Sequence, residues 1–273
     1  MASRRLDVKT LLLLGAMYAL LGGNVALYVV HRENPIFHVL VAAVAIHFAF
    51  TVWHEAAHGN VSGRSAVNDV VGVLGMLPYM TPYFIQRWVH LEHHRRLNEP
   101  LDPNYIYTDG ALLTLPFRYT RALGYAKKLL REDPRTPRQR LSDRATTLGI
   151  LAVYAAAVIT GHGLDVLVLW FVPVVIAKLV MDFYINYLPH RGLPPDRFRG
   201  TRIVDVAWFT PLVLQHNYHA VHHLWPTLPW HRYREIYGKK LDYLRRHEVP
   251  VEHRVFGSWQ ESARLERSDA RAR

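Results

Sequence analysis

The sequence predicts an all-α integral membrane protein with four transmembrane helices, arranged as two hairpins, and a cytoplasmic histidine-rich helical cap. Half of the 273 residues are apolar, and they are concentrated in four long runs. The net charge is nevertheless +11, so basic segments must separate these runs. The chain has 17 histidines and no cysteine, which excludes disulfides, iron–sulfur clusters and thiol nucleophiles. Any bound metal must therefore be held by nitrogen or oxygen.

The first predicted hairpin lies near the N-terminus. Residues 11–30 and 36–53 are almost free of charge, and each run approaches the length of about 20 apolar residues that a membrane-spanning helix needs. The first run is too long for a removable signal peptide and lacks a small-residue cleavage site. The Asn-Pro pair at positions 34–35 predicts a tight connection between the two helices.

The second predicted hairpin is formed by residues 147–160 and 164–188, which Gly-His-Gly at 161–163 connects. The second of these runs contains Lys178 and Asp182. A charged side chain in the middle of a span costs about 2.5–3.5 kcal/mol on insertion scales. We therefore expect these two residues either to pair with each other or to serve a functional site.

The basic residues predict the orientation. All of the 33 Lys and Arg residues except Arg32 and Lys178 lie in residues 1–10, 54–146 and 189–273. The positive-inside rule then places both termini and both large basic blocks in the cytoplasm, and we expect the chain to reside in the cell inner membrane. We further expect one domain over residues 1–250 and a polar, flexible tail over residues 251–273.

Three histidine clusters have helical spacing: HEAAH, HLEHH and HAVHH. Spacings of three and four residues place the side chains of each cluster on one face of a helix, so facing imidazoles can converge on a metal. Their number suits two metal ions with four or five ligands each, and imidazole accommodates zinc, copper, iron or nickel. The predicted ligands in these clusters are His54, His58, His90, His93, His94, His219, His222 and His223.

Other polar residues accompany these clusters. Asp182, Asn186 and His190 follow one another at four-residue steps near the end of the fourth span, which predicts a common helical face. Glu55 lies inside HEAAH, and we expect it to orient a ligating imidazole through its other ring nitrogen. His216 precedes His219 by one turn, and we expect it to lie just outside the metal ligands.

Two other functions are compatible with parts of the pattern. HEAAH matches the H-E-x-x-H signature of zinc metalloproteases, in which Glu55 would be the general base, but this reading leaves the other two clusters without a role. A membrane metal carrier would need polar ligands inside the spans, whereas these clusters lie outside them. Nucleic-acid binding is not expected, because no binding motif surrounds the basic residues.

The order HEAAH, HLEHHRRLNEP and HAVHHLWP resembles the membrane fatty acid desaturase superfamily over residues 40–235. The resemblance implies a non-haem di-iron enzyme that uses O2 and two electrons to oxidise long apolar substrates. It implies that the eight histidines of these three clusters, here called the histidine boxes, ligate two irons. Acyl-CoA desaturases add a histidine and, four residues before it, an asparagine that holds a metal-bound water. His190 and Asn186 match that pair.

The runs DFYINYLPHRG and QHNYHAVHHLWPTLPWHRY are more specifically similar to desaturase-type β-carotene hydroxylases. This similarity implies hydroxylation of a β-carotene ring, and the alternative is desaturation or a related oxidation of a fatty acyl chain, carried by a lipid or by CoA. The sequence contains no dinucleotide fingerprint and no cysteine for haem or iron–sulfur attachment. We therefore expect an external electron donor. Ferredoxin is the expected partner, because acidic ferredoxins would be attracted to the basic face.

Overall fold

A computed structural model of the chain describes residues 6–108, 112–118 and 133–256. The described part is mostly helical and includes two strands of two residues each. Four helices are long and apolar enough to cross a membrane, which confirms the predicted four-span, all-α fold. Their orientation stays a prediction, as does the domain boundary at residue 250, and residues 257–273 of the predicted tail lie outside the described residues. The four helices are Val8–Val30, Pro35–Ala57, Pro137–Ile159 and Gly163–His190.

The chain forms two compact units, whose boundaries fall inside helices. Unit 1 comprises Met1–Leu91 and Lys127–Met181, and unit 2 comprises Glu92–Ala126 and Asp182–Arg273.

Unit 1 begins with the hairpin of α1 (Val8–Val30) and α2 (Pro35–Ala57). The side chain of Asn34 accepts a hydrogen bond from the backbone N–H of Phe37 at 3.1 Å, and Pro35 occupies the first helical position, so this dipeptide starts α2. Between the two helices, the buried amide of Asn24 donates to the carbonyl oxygen of His38 at 3.0 Å. The hairpin is thus held by polar contacts as well as by apolar packing.

The segment after α2 contains no helix long enough to cross a membrane. It forms α3 (Ser65–Met76), a 3-10 turn (Leu77–Tyr79) and α4 (Tyr83–Arg95), and α3 packs against α2. Gly75 makes this packing possible, because a Cβ at this position would lie 2.9 Å from the backbone nitrogen of Trp53. The twelve residues of α3 are too few for a span.

The third span, α6 (Pro137–Ile159), begins earlier than predicted. Its first turns are polar, so hydropathy placed the start at residue 147. A capping box marks the actual start: the Thr136 hydroxyl accepts from the N–H of Gln139 at 3.3 Å, and the Gln139 side chain accepts from the N–H of Thr136 at 2.9 Å. Between α4 and α6, the structure describes the short α5 (Tyr105–Thr108) and a 3-10 helix (Leu112–Arg118).

The fourth span, α7 (Gly163–His190), is not a regular α-helix. It contains two π-helical stretches, Leu167–Phe171 and Asp182–Tyr187. The predicted common face of Asp182, Asn186 and His190 assumed 3.6 residues per turn, and the wider π turn changes this spacing. Asp182 and Asn186 still contact each other, because the Asn186 amide donates to Asp182 Oδ1 at 2.7 Å.

Unit 2 packs short helices around an aromatic and aliphatic core. The helices are α8 (Phe209–Leu212), α9 (His219–Leu224), α10 (Tyr233–Lys239) and α11 (Leu241–Arg246), with a 3-10 turn (Trp230–Arg232) between α9 and α10. Strand β1 (Ile203–Val204) pairs in parallel with β2 (Val251–Glu252). The core includes Tyr218, Val221, Tyr233 and Leu244.

Candidate metal centre

Four imidazoles converge in unit 2. One ring nitrogen from each of His93, His190, His219 and His223 lies within 4.8 Å of the others. The Nε2 atoms of His190 and His219 are 3.0 Å apart, and those of His219 and His223 are also 3.0 Å apart. Two nitrogens bound at right angles to one ion, each at about 2.1 Å, would be separated by about 3.0 Å. The spacing therefore fits a shared metal ion.

Three different elements supply these four side chains. His93 lies in the last turn of α4, and His190 ends α7. His219 and His223 lie one turn apart on α9, so their side chains share a face of that helix. The core cluster around Tyr218 and Val221 buries the opposite side of α9 and fixes it in place.

The protonation states also fit a metal site. Burial lowers the pKa of His219 and His223 well below the ordinary value of 6.5, so both rings are neutral and offer a lone pair. Lone pairs on converging neutral nitrogens repel one another unless a cation lies between them. Among the described residues, the buried Nδ1 atom of His219 has no hydrogen-bond partner.

Asp102 fixes the orientation of His93, and sequence analysis missed it. The N–H at His93 Nδ1 donates to the two carboxylate oxygens of Asp102, at 2.8 and 2.9 Å. This hydrogen bond places the proton on Nδ1 and leaves the Nε2 lone pair for a metal. Asp102 is fully buried and also accepts from the backbone N–H groups of Asn98 and Asn104, each at 2.8 Å. The aspartate in LDPNY, directly after the second box, was the available signal.

Asn186 is buried and lies between Asp182 and Asn104 in a chain of side-chain hydrogen bonds. Its side-chain nitrogen donates to Asp182 Oδ1 at 2.7 Å, and its oxygen accepts from the amide of Asn104 at 2.9 Å. Both polar atoms of Asn186 are thus engaged by protein. Its predicted role in holding a metal-bound water stays a prediction.

A second pair of imidazoles in unit 2 lies next to the first cluster. His94 and His222 approach with their Nε2 atoms 2.9 Å apart, and the ring of His94 stacks on that of His223 with centroids 4.1 Å apart. The Nδ1 atom of His222 is 3.0 Å from the hydroxyl of the buried Tyr233. The ring of His216 lies 5.9 Å from that of Tyr233, outside the converging nitrogens.

Three imidazoles converge in unit 1. The rings of His54, His58 and His90 have centroids 4.7–4.9 Å apart, and the Nε2 atoms of His58 and His90 are separated by 2.7 Å. Glu55 is completely buried, with Oε1 3.4 Å from Nδ1 of His54 and Oε2 accepting from the amide of Asn60 at 3.0 Å. Glu55 therefore lies where a residue that orients His54 is expected, and that role stays a prediction.

Every box histidine is thus part of a cluster of imidazoles within its own unit. The donor atoms are imidazole nitrogens, and Asp102, Glu55 and Tyr233 contact the rings of His93, His54 and His222. Such sites suit a divalent transition metal, and the ligand type alone does not select which one.

Comparisons with known proteins identify the family. The Fatty acid desaturase family model matches residues 34–255, a range that contains all nine clustered histidines. Two β-carotene ketolases from two strains of Paracoccus sp. are 29% identical over 191 residues and 28% identical over 192 residues. Each alignment covers 67% of this chain and 71% of the relative.

A plant enzyme is similar over a longer stretch. The endoplasmic reticulum omega-3 fatty acid desaturase of Nicotiana tabacum is 24% identical over 254 residues, which cover 76% of this chain and 65% of the relative. The long family match, the four spans and the histidine clusters lead to one conclusion: this chain belongs to the fatty acid desaturase family and is a membrane oxidoreductase.

Proposed function

We propose that this protein is an O2-dependent di-iron enzyme that hydroxylates the ring of a carotenoid, with β-carotene as the first substrate to test. The observation that carries the substrate class is the similarity to two β-carotene ketolases over about two thirds of both chains. The sequence runs around His190 and His219 support the same class, because they resemble β-carotene hydroxylases.

All nine clustered histidines are proposed iron ligands. His93, His190, His219 and His223 would hold one iron, since their nitrogens already converge. His54, His58 and His90 would be ligands of the other, and His94 and His222 complete the proposed set. When bound, the two irons would use O2 and two external electrons to oxidise an unactivated C–H bond.

The protein residues around the histidines keep the ligands oriented. Asp102 and Glu55 contact the Nδ1 atoms of His93 and His54, and Tyr233 contacts that of His222, so these rings are held from the side opposite Nε2. Burial of His54 and His219 to 2% exposure or less keeps bulk water from these positions. Reaction with one O2, two electrons and two protons would then give an alcohol and one water.

The substrate would reach the enzyme from the bilayer. Long helices expose large apolar side chains on the outside of unit 1, such as Leu12, Val29, Leu151 and Ile159, as lipid contact requires. A carotenoid dissolves in this environment and not in water. Ferredoxin is the proposed electron donor, since a chain with net charge +11 would attract an acidic protein.

Product analysis tests the proposal. The chain would be expressed with a ferredoxin system in cells that make both β-carotene and ordinary membrane lipids, with His223→Ala as the inactive control. We expect hydroxylated carotenoid and an unchanged fatty-acid profile. A carotenoid ketone as the first product would instead indicate ketolation, as the names of the Paracoccus relatives suggest.

Acyl desaturation is the second candidate function. The alignment to the plant omega-3 desaturase covers more of this chain, although its identity is lower. Loss of two hydrogens from adjacent carbons, together with two external electrons and two protons, would reduce O2 to two waters and give a new double bond. New unsaturation in the acyl chains, with β-carotene unchanged, would establish this function in place of the first.

A further inference from the structure

A cavity in unit 1 lies apart from the histidines. It has a volume of about 580 Å³ and forms where the first turns of α6 meet the start of α4. This volume falls within the roughly 300–1,000 Å³ of known small-molecule sites. Its charged lining consists of three arginines and two aspartates, Arg135, Arg140, Arg144, Asp133 and Asp143.

The two carboxylates in this lining are already engaged. The guanidinium of Arg135 donates to Asp133 Oδ1 at 2.8 Å and to Asp143 Oδ2 at 2.6 Å. Asp143 also accepts from the backbone N–H groups of Phe84 and Ile85, at 3.0 and 2.8 Å. This network joins α6 to α4 and offsets part of the acidic charge. The whole cavity lining has three arginines against two aspartates, so its net charge is +1 and favours a bound anion.

Two further arginines line the same cavity. Arg140 and Arg144 are four residues apart on α6, so their side chains extend along one face of the helix. Arg144 is exposed, and Arg140 makes a long ion pair of 3.9 Å with Asp133. Two guanidinium groups one turn apart can donate several hydrogen bonds to the oxygens of one phosphate.

The position of the cavity along α6 indicates which class of phosphate-containing ligand would bind there. No charged residue follows Arg144 in this helix, and residues 145–159 form its apolar, membrane-spanning part. Ile85 and Leu148 line the cavity on the apolar side, and 67% of Leu148 is exposed. Cationic groups at the membrane surface and an apolar wall beneath them match the two ends of a phospholipid.

We propose that this cavity binds an anionic phospholipid, with Arg140 and Arg144 on the phosphate and with Ile85 and Leu148 against the start of an acyl chain. The site does not depend on the proposed reaction. The bound lipid would contact α6 and the first turns of α4, at the opposite end of α4 from His93.

Lipid retention tests this proposal. The purified full chain would be placed in nanodiscs of phosphatidylcholine with a minor fraction of phosphatidylglycerol, and the lipids that remain bound would be counted by native mass spectrometry. We expect phosphatidylglycerol to be enriched over its bulk fraction. Arg144→Gln should reduce that enrichment about fivefold, the effect of one basic residue near an anionic surface. The double variant Arg140→Gln/Arg144→Gln should bring it close to the bulk value.

Arg138→Gln is the matched control, because Arg138 lies on the same helix, is exposed and does not line the cavity. It should retain the wild-type enrichment, and all variants should keep wild-type helicity and iron content. Three results would overturn the proposal: no enrichment in the wild type, equal losses in Arg138→Gln and Arg144→Gln, or complete displacement of the lipid by millimolar inorganic phosphate. The last result would identify a site for the free anion.

Discussion

Replacement of Asp102 by asparagine would test how the protein holds His93. The carboxylate is fully buried and binds the His93 Nδ1–H with both oxygens, at 2.8 and 2.9 Å. Asparagine has nearly the same shape and still offers one oxygen to a backbone N–H, but it carries no charge. The imidazole would lose a charge-assisted hydrogen bond, and its tautomer and orientation would no longer be fixed.

The expected magnitude follows from the position of Asp102 behind a proposed ligand. Loss of such a residue typically lowers metal affinity by about 10- to 100-fold. The cost in binding free energy is then about 1.4–2.7 kcal/mol. Titration of the purified apo-protein with iron, together with elemental analysis, would measure this loss of affinity. Thermal unfolding of the apo-protein would report any separate loss of folding stability.

Asp196→Asn is the matched control in the same unit. Its carboxylate also accepts backbone hydrogen bonds, from Phe198 and Arg199, at 2.9 and 2.8 Å. We expect this variant to keep the wild-type iron affinity. If Asp102→Asn bound iron as tightly as the wild type, Asp102 would have no part in orienting a ligand, and the reasoning would be refuted.

Three other predictions concern the same units. His223→Ala should remove most of the iron from one site and abolish activity, whereas His162→Ala should do neither, because His162 is an exposed loop residue bonded to Asp165. The free energy of unfolding of the apo-protein should fall as the pH falls below 6.5, by up to about 1.4 kcal/mol per pH unit for each of His219 and His223. The reason is that both imidazoles take up a proton in the unfolded chain below this pH, whereas burial keeps the native rings neutral. A free energy of unfolding that stays constant from pH 7 to 5 would contradict this. Gly75→Val should cost about 1–3 kcal/mol of stability, measured by thermal unfolding, because its side chain would collide with the backbone at Trp53.

Hydropathy and helical spacing were sufficient to predict much of the fold. A long uncharged run has few alternatives to a membrane span, so all four spans were predicted, although the polar first turns of α6 hid its start at Pro137. The histidines within each box were expected on one face, because an i, i+4 pair such as His219 and His223 converges through local geometry alone.

The missed features depend on tertiary contacts or on departures from regular helical geometry. Asp102 lies in a loop that folds back on α4, and no periodicity in the sequence links it to His93. Tyr233 reaches His222 from the next helix, although other tyrosines nearby are equally plausible from sequence alone. The π-helical turn that carries Asp182 and Asn186 was missed because spacing arguments assume a uniform α-helix.

The iron content of the purified, full-length protein is the most direct test of the central claim. Elemental analysis together with Mössbauer spectroscopy would give both the amount of iron and its coordination. We predict two irons per chain in nitrogen-rich, non-haem sites, with a lower content in His223→Ala. A single zinc per chain, unchanged in that variant, would contradict it.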